Sequence, residues 1–183
     1  AVGTPVYRET IAAAVMGYGH FEPLRHYAEV HLRLEPGRPG SGIVVDSEVD
    51  TDVLSPRFQA QILSALRHKR HKGVLSGSDL TDVRIVVTAG KGHLKHTEGG
   101  DFRQAANRAV RQGLMTAREA GGMVLLEPVT SFSVQCDERF IGNVLYELEK
   151  RQATMQVEDA RITGSGPLRN LADFQNELRA LTK

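Results

Sequence analysis

The feature that most narrows the fold is an apolar stripe between Asp101 and Ala120. Phe102, Ala105, Ala106, Ala109, Val110 and Ala117 recur at helical spacing, while Arg103, Arg108, Arg111 and Arg118 fall on the opposite side. That pattern predicts one long helix with a single face to bury, so another layer must lie against it. The preceding run LTDVRIVVTA reads as a strand, and Gly121 and Gly122 close the helix. Strand, glycine-rich loop and helix therefore follow one another directly.

The rest of the chain supplies that layer. Val6 to Met16 is rich in β-branched and apolar residues, and YGHFEPLRH reads as a loop around Pro23. HYAEVHLRLEP alternates cleanly: Tyr27, Glu29, His31 and Arg33 face one way, and Ala28, Val30, Leu32 and Leu34 face the other. This is a half-buried strand. EPGRPGSG is a break, and GIVVDSEVD resumes as a strand. Ser55 is placed to cap a helix with Pro56 at its first position and Phe58, Ile62, Ala65 and Leu66 as its stripe. RHKRHKG then puts cations in a last turn, each favoured there by ~0.3–1 kcal/mol, with Gly73 as the stop. A phosphate-facing edge is the functional alternative for this basic cluster.

Beyond Gly122 the order is strand (MVLLEPVTSFSVQ), helix (DERFIGNVLYELEKR, capped by Asp137), strand, strand (ARITGSG) and helix (LRNLADFQNELRALTK). Ile141, Val144, Leu145 and Leu148 line the first helix, and Leu168, Leu171, Phe174 and Leu178 the second. A βαββα order lacks only a closing strand to be a ferredoxin-like unit. The bare sheet edge it leaves implies a chain that stops before its natural end. The expected class is α+β, with two βα-sandwich domains: residues 1–121, a mixed sheet with two helices, and residues 122–183, an incomplete ferredoxin-like unit.

Composition removes several classes. The chain has 183 residues, 40% of them hydrophobic, which is enough for ordinary cores. No apolar run approaches the ~20 residues that span a bilayer, and AVGTPVYRET is no secretory signal. The single cysteine, Cys136, forms no internal disulfide and reads as packed, which fits a reducing cytoplasm. Through Ala120 there are 16 Lys and Arg against 13 Asp and Glu; beyond it, 7 against 9. All 7 histidines lie at or before His96. The first two thirds therefore lean towards a polyanion partner.

AGKGHLKHTEGGDF, residues 89–102, is the chemically richest stretch. It sits between strand and helix like a phosphate loop, but no Ser or Thr follows Lys91, so a Walker-type magnesium hydroxyl is missing. His93, His96 and Glu98 have a metal-like spacing without a fourth ligand, and the chain has no CxxC. A His-based metal enzyme is thus one alternative. Asp50 and Asp52 read as solvated. The other reading is a basic tip, with Lys91, His93, Lys95 and His96 aimed at RNA phosphates and the glycines allowing close approach. Tyr18, His20, Phe21 and His26 in the earlier loop add rings that could stack on unpaired bases. A free-standing RNA-binding module would need no more than this.

Longer motifs carry a resemblance. YRETI, GYGHFEP followed by HYAEVHLRLEP, and LTDVRIVVTAGKGHLKHTEGGDFRQAANRAVRQGLMTA resemble domain IV of elongation factor G and its relatives. VLLEPVTSFSV and LRNLADFQNELRALTK resemble the start and last helix of its domain V. The match runs in order over nearly the whole chain, and within the family it is similar to the elongation factor G-like proteins grouped with the tetracycline-resistance ribosomal protection proteins. The resemblance implies a ribosomal-protein-like domain IV and a ribosome-contacting fragment of a translational GTPase. Domain IV would reach the small-subunit decoding centre, its RNA and tRNA, with domain V near the large-subunit stalk base. The GTPase domain, with its GTP and Mg, would lie upstream, so this chain itself would be a cytoplasmic monomer without enzyme activity or cofactor. The implied contacts are the two tips, Tyr18 to His26 and Gly90 to Gly99, with Leu94, Lys95 and His96 at the apex. Elongation factor G carries a histidine where Lys95 stands, and the tetracycline-protection proteins carry Ser-Pro-Val there. The segment from Thr154 to Gly164 is short for domain V, and an omitted loop is one explanation.

Overall fold

The computed structural model describes residues 6–93 and 95–182. Its strands are β1 (Arg8–Ile11), β2 (Val15–Phe21), β3 (Ala28–Pro36), β4 (Ile43–Ser47), β5 (Asp79–Leu80), β6 (Val83–Gly92), β7 (Met123–Leu126), β8 (Val129–Gln135), β9 (Thr154–Glu158) and β10 (Arg161–Pro167). Its helices are α1 (Pro56–His68), α2 (Gly99–Glu119), α3 (Ile141–Lys150), α4 (Leu168–Leu171) and α5 (Phe174–Leu181). Arg8–Leu126 make one compact unit, and the described residues from Glu127 onward group with Val6 and Tyr7 as another. The architecture is the expected α+β arrangement.

In the first unit a mixed sheet runs in the order β2-β3-β6-β4, with β4 parallel to β6 and the other pairs antiparallel. The alternation of β3 holds: Ala28, Val30, Leu32 and Leu34 are fully buried. They meet Ile62 and Leu66 of α1 and Phe102, Ala105, Ala106, Ala109, Val110 and Leu114 of α2 in one core. Each large side chain removed from water there contributes about 1.5–3 kcal/mol. Ser55 caps α1 by accepting from the Phe58 N–H, as its position predicts. A β-bulge between the His31 and Leu32 rows leaves Thr88 of β6 without a partner of its own.

The segment read as a loop from Tyr18 corrects to strand through Phe21. Its glycines are there for contact. A Cβ on Gly17 would lie 2.2 Å from the Ala109 carbonyl oxygen, and one on Gly19 2.1 Å from that of Ala105. Strand β2 thus lies directly on the α2 backbone. Gly73 is likewise no helix stop, since α1 ends at His68 with Lys69 already extended. β1 pairs with β5 and β7 in a small second sheet. MVLLEPVTSFSVQ is therefore two strands rather than one. Pro128, which has no N–H to give a ladder, separates them, and its carbonyl accepts from the Leu168 N–H.

The second unit has the antiparallel order β8-β10-β9, with its core formed by Val134, Val144, Leu148, Ile162 and Phe174. Cys136 packs against that core. Asp137 caps a short 3₁₀ turn ahead of α3. The terminal helix is broken at Ala172 and Asp173 into α4 and α5. The short Thr154 to Gly164 segment closes as a hairpin, with Glu158 paired to Arg161 and Asp159 in the left-handed region at φ 52°.

Candidate nucleic-acid interface

Sheet register sets the position of both sequence-predicted tips. Phe21 pairs with Ala28, and Ala28 with Gly92, so β2, β3 and β6 all end on one row. The turns at residues 22–27 and 93–98 leave from that same edge. They are also tied to one another. Thr97 Oγ1 accepts from the His93 N–H at 2.6 Å and donates to the Tyr27 carbonyl at 2.6 Å. His26 Nδ1 lies 2.9 Å from Asp101 Oδ2, and that same oxygen accepts from the Glu98 N–H at 2.9 Å to cap α2.

The nine candidate residues do not share one role. His93, Lys95 and His96 are exposed on the second turn, with the two imidazoles stacked at 4.6 Å. The His93 carbonyl accepts from the N–H groups of His96 and Thr97, so the backbone of this turn is internally bonded. Leu94 lies outside the described residues. Lys91 belongs to strand β6, where it pairs with Glu29 on the face of the sheet away from the helices. Gly90 and Gly92 point the other way, and Cβ atoms there would lie 2.7 Å from Leu54 and 2.9 Å from Phe102. These glycines admit core side chains rather than freeing a tip.

The pleat separates the rings of the first stretch. Tyr18 and His20 are exposed on the helix-free face, and Tyr18 meets His31 edge-on at 4.9 Å. Phe21 turns to the helix side, with the Arg108 guanidinium 5.0 Å over its ring. His26 is drawn inward by Asp101. Tyr18, His20, Tyr27, Glu29 and His31 together line a cleft of about 330 Å³. Both Tyr27 and His31 bond to the Glu29 carboxylate. The Tyr27 hydroxyl, then His31, hold Glu29 below the usual carboxylate range, and Glu29 pushes Tyr27 up to about 12. Glu29 is thus an anion at neutral pH between two rings and Lys91.

Sequence reading included Leu24 and Arg25 in the Tyr18 to His26 tip without singling them out; Leu24 is 91% exposed and Arg25 has φ 70°. The Pro23-Leu24-Arg25 order inside a hairpin was the available signal. Among the described residues no group of three His, Cys, Asp or Glu side chains could hold a metal. None of the described helices is long and apolar enough to cross a membrane.

A mixed sheet carrying two helices and two tied turns at one edge, followed in sequence by a βαββα unit, defines a two-part α+β module. The family model described as elongation factor G, domain IV matches residues 6–118, and that described as elongation factor G C-terminus matches residues 124–183. The chain belongs to the elongation factor G family. It is similar to "Elongation factor G 1" of Methylococcus capsulatus, 30% identical over 99% of this chain and 27% of that protein. It is also similar to a crystal structure of a Thermus thermophilus protein, with a TM-score of 0.82 and 27% identity over 100% of this chain and 28% of that one. The chain therefore spans little more than a quarter of either relative's length.

Proposed function

We propose that this chain is the ribosome-contacting part of an elongation factor G-like translational GTPase in the cytoplasm. Residues 1–121 act as a strut that carries the turns at 22–27 and 93–98 to the decoding centre of the small subunit. Residues 122–183 rest near the large-subunit stalk base. The observation that carries this reading is the Phe21–Ala28–Gly92 row, which sets two turns side by side and lets Thr97 and His26 lock them together. A pre-ordered pair of turns meets a rigid RNA surface with little further loss of entropy. Lys91, His93, Lys95 and His96 supply the cations, with Leu94 at the apex; Tyr18 and His20 supply the exposed rings. Phe21 and His26 support them from within. The charged Leu94-Lys95-His96 apex, unlike Ser-Pro-Val, favours tRNA translocation over tetracycline protection. GTP and Mg would be handled by a GTPase domain elsewhere in the parent protein, and the chain would act as a monomer.

Binding to ribosomes or small-subunit RNA should weaken steeply with salt, because each neutralised phosphate contributes roughly 0.7–0.9 to the log–log slope. Replacing Lys91 and Lys95 by alanine should flatten the slope by about 1–2 units on that basis. A slope that does not change removes the turn as a phosphate contact.

A further inference from the structure

Helices α1 and α2 are held together by Phe58 and Phe102, whose rings lie 4.9 Å apart. Beside that contact runs an open groove of about 750 Å³ lined by Arg57, Gln61, His68 and Lys69 from the α1 side and Arg103 and Asn107 from α2. No acidic residue lines it. Helix α1 contains no Asp or Glu at all, and the first acid of α2, Asp101, is turned to His26. The basic run after α1 divides its work. Arg70 and Lys72 both pair with Asp79, and His71 is buried with Nε2 on the Leu66 carbonyl. Among the described residues, Arg57, Lys69 and Arg103 have no acidic partner. The opposite sheet face differs, for there Arg33 lies between Glu35 and Glu48, and Arg84 between Glu35 and Asp46.

A second observation lies in the groove itself. Gln61 Oε1 and Asn107 Oδ1 are buried without a hydrogen-bond partner among the described residues. A seam that only packed two helices would place apolar groups there, since an unmatched buried acceptor is costly. Unpaired cations call for phosphates, and unmatched acceptors call for a donor. A ribose 2′-hydroxyl beside a phosphodiester offers both.

We propose that the α1–α2 groove is a second RNA site, which holds the sugar–phosphate backbone through Arg57, Lys69 and Arg103, with the half-buried Gln61 and Asn107 side chains turning outward to accept from the 2′-hydroxyl. It deepens the ribosome reading by adding a contact on another face of the same unit, and the two are separable by mutation. Single-stranded and duplex RNA share this chemistry, so both are probes.

The test uses the full 183-residue chain and fluorescence anisotropy with a labelled mixed-sequence RNA strand, its duplex and the DNA strand of the same sequence, across a salt series. Combined Arg57→Gln, Lys69→Gln and Arg103→Gln should flatten the slope by roughly 2 units on the single strand, three phosphates at ~0.7 each. Lys91→Gln with Lys95→Gln tests the turns alone and should leave that share in place. Wild type should prefer RNA to DNA several-fold, and Gln61→Leu with Asn107→Leu should abolish the preference. Should the triple variant misfold by circular dichroism, Arg57→Gln and Arg103→Gln singly should each flatten the slope by about 0.7. The proposal is overturned if groove variants keep the wild-type slope, if RNA and DNA bind alike, or if polyglutamate displaces RNA as well as unlabelled RNA does. The last outcome would assign the groove to an acidic protein.

Discussion

Replacing Glu9 by glutamine tests the energetic core of the first unit. Glu9 is fully buried on β1, and its carboxylate is wrapped by the loop after α1. Oε1 accepts from the Leu75 N–H at 2.7 Å, and Oε2 accepts from the Ser76 N–H, the Ser76 hydroxyl and the Ser78 N–H at 2.9–3.1 Å. Desolvation alone would raise the Glu9 pKa, but these hydrogen bonds outweigh it and hold it below the ordinary value. A hydrogen bond to a charged group contributes about 1.5–3 kcal/mol. Glutamine keeps one acceptor, loses the charge and turns an NH₂ towards donors that want an oxygen. With partial rescue by water on this surface loop, the expected loss is about 2–4 kcal/mol, or roughly 10 °C in Tm. The pH signature is separable. A depressed carboxylate contributes stability that is full above its unfolded value near 4.5 and is lost as pH falls through the lower folded value. His71, pushed below 6.5 by burial, also destabilises the fold on acidification, starting from a higher pH. Urea unfolding from pH 7.5 to 3, with hydrogen exchange at Leu75, Ser76 and Ser78, reads both. Glu9→Gln should shrink the dependence below about pH 4.5, leaving the shares of the other depressed carboxylates, Glu29, Glu35, Glu48 and Asp79, and leave the His71 limb. A loss under about 0.5 kcal/mol, or an unchanged acid limb, refutes the reasoning.

Two further substitutions probe the frame behind the turns. Gly19→Ala forces a Cβ to within 2.1 Å of the Ala105 carbonyl and 2.4 Å of the Ala109 nitrogen, both helix backbone that cannot step aside. The expected cost is about 3 kcal/mol or more by urea denaturation, and under about 1 kcal/mol the tight β2–α2 contact is wrong. Asp101→Ala should cost about 1–2 kcal/mol as a lost cap and speed exchange of the Glu98 amide. A double-mutant cycle with His26→Ala should give a coupling of at least about 0.5 kcal/mol, whereas strict additivity would mean the two turns are not tied there.

Periodicity made the two helices of the first unit legible. The stripes of α1 and α2 and the alternation of β3 were correct because one face of each element is buried and the other is wet. Strand β2 was misread because Gly17 and Gly19 are turn formers locally; their reason lies in the α2 backbone, about 90 residues away. Gly73 misled in the same way, since it clears space for Glu9. The break in MVLLEPVTSFSVQ was visible at Pro128, but that β7 would pair with β1 was not. For the candidate site, the two tips and their basic character were readable. The pleat that separates Phe21 from Tyr18 and His20 was hidden by the loop assignment, and the His26–Asp101 contact spans 75 positions, which no local pattern reports.

The bulge at Thr88 acts as a parity switch. Before it, odd-numbered Val83, Ile85 and Val87 face the helices; after it, even-numbered Gly90 and Gly92 do, and Lys91 is sent outward beside Glu29. Deleting Thr88 would restore a plain alternation with the same pairs, Lys91 still outward opposite Glu29 and both glycines still inward, and would remove only the local bend and extra twist that the bulge gives the strand. A transplant of this fingertip onto another scaffold therefore keeps its charge on the same side with or without the odd residue, and what it stands to lose is the bend that aims the tip.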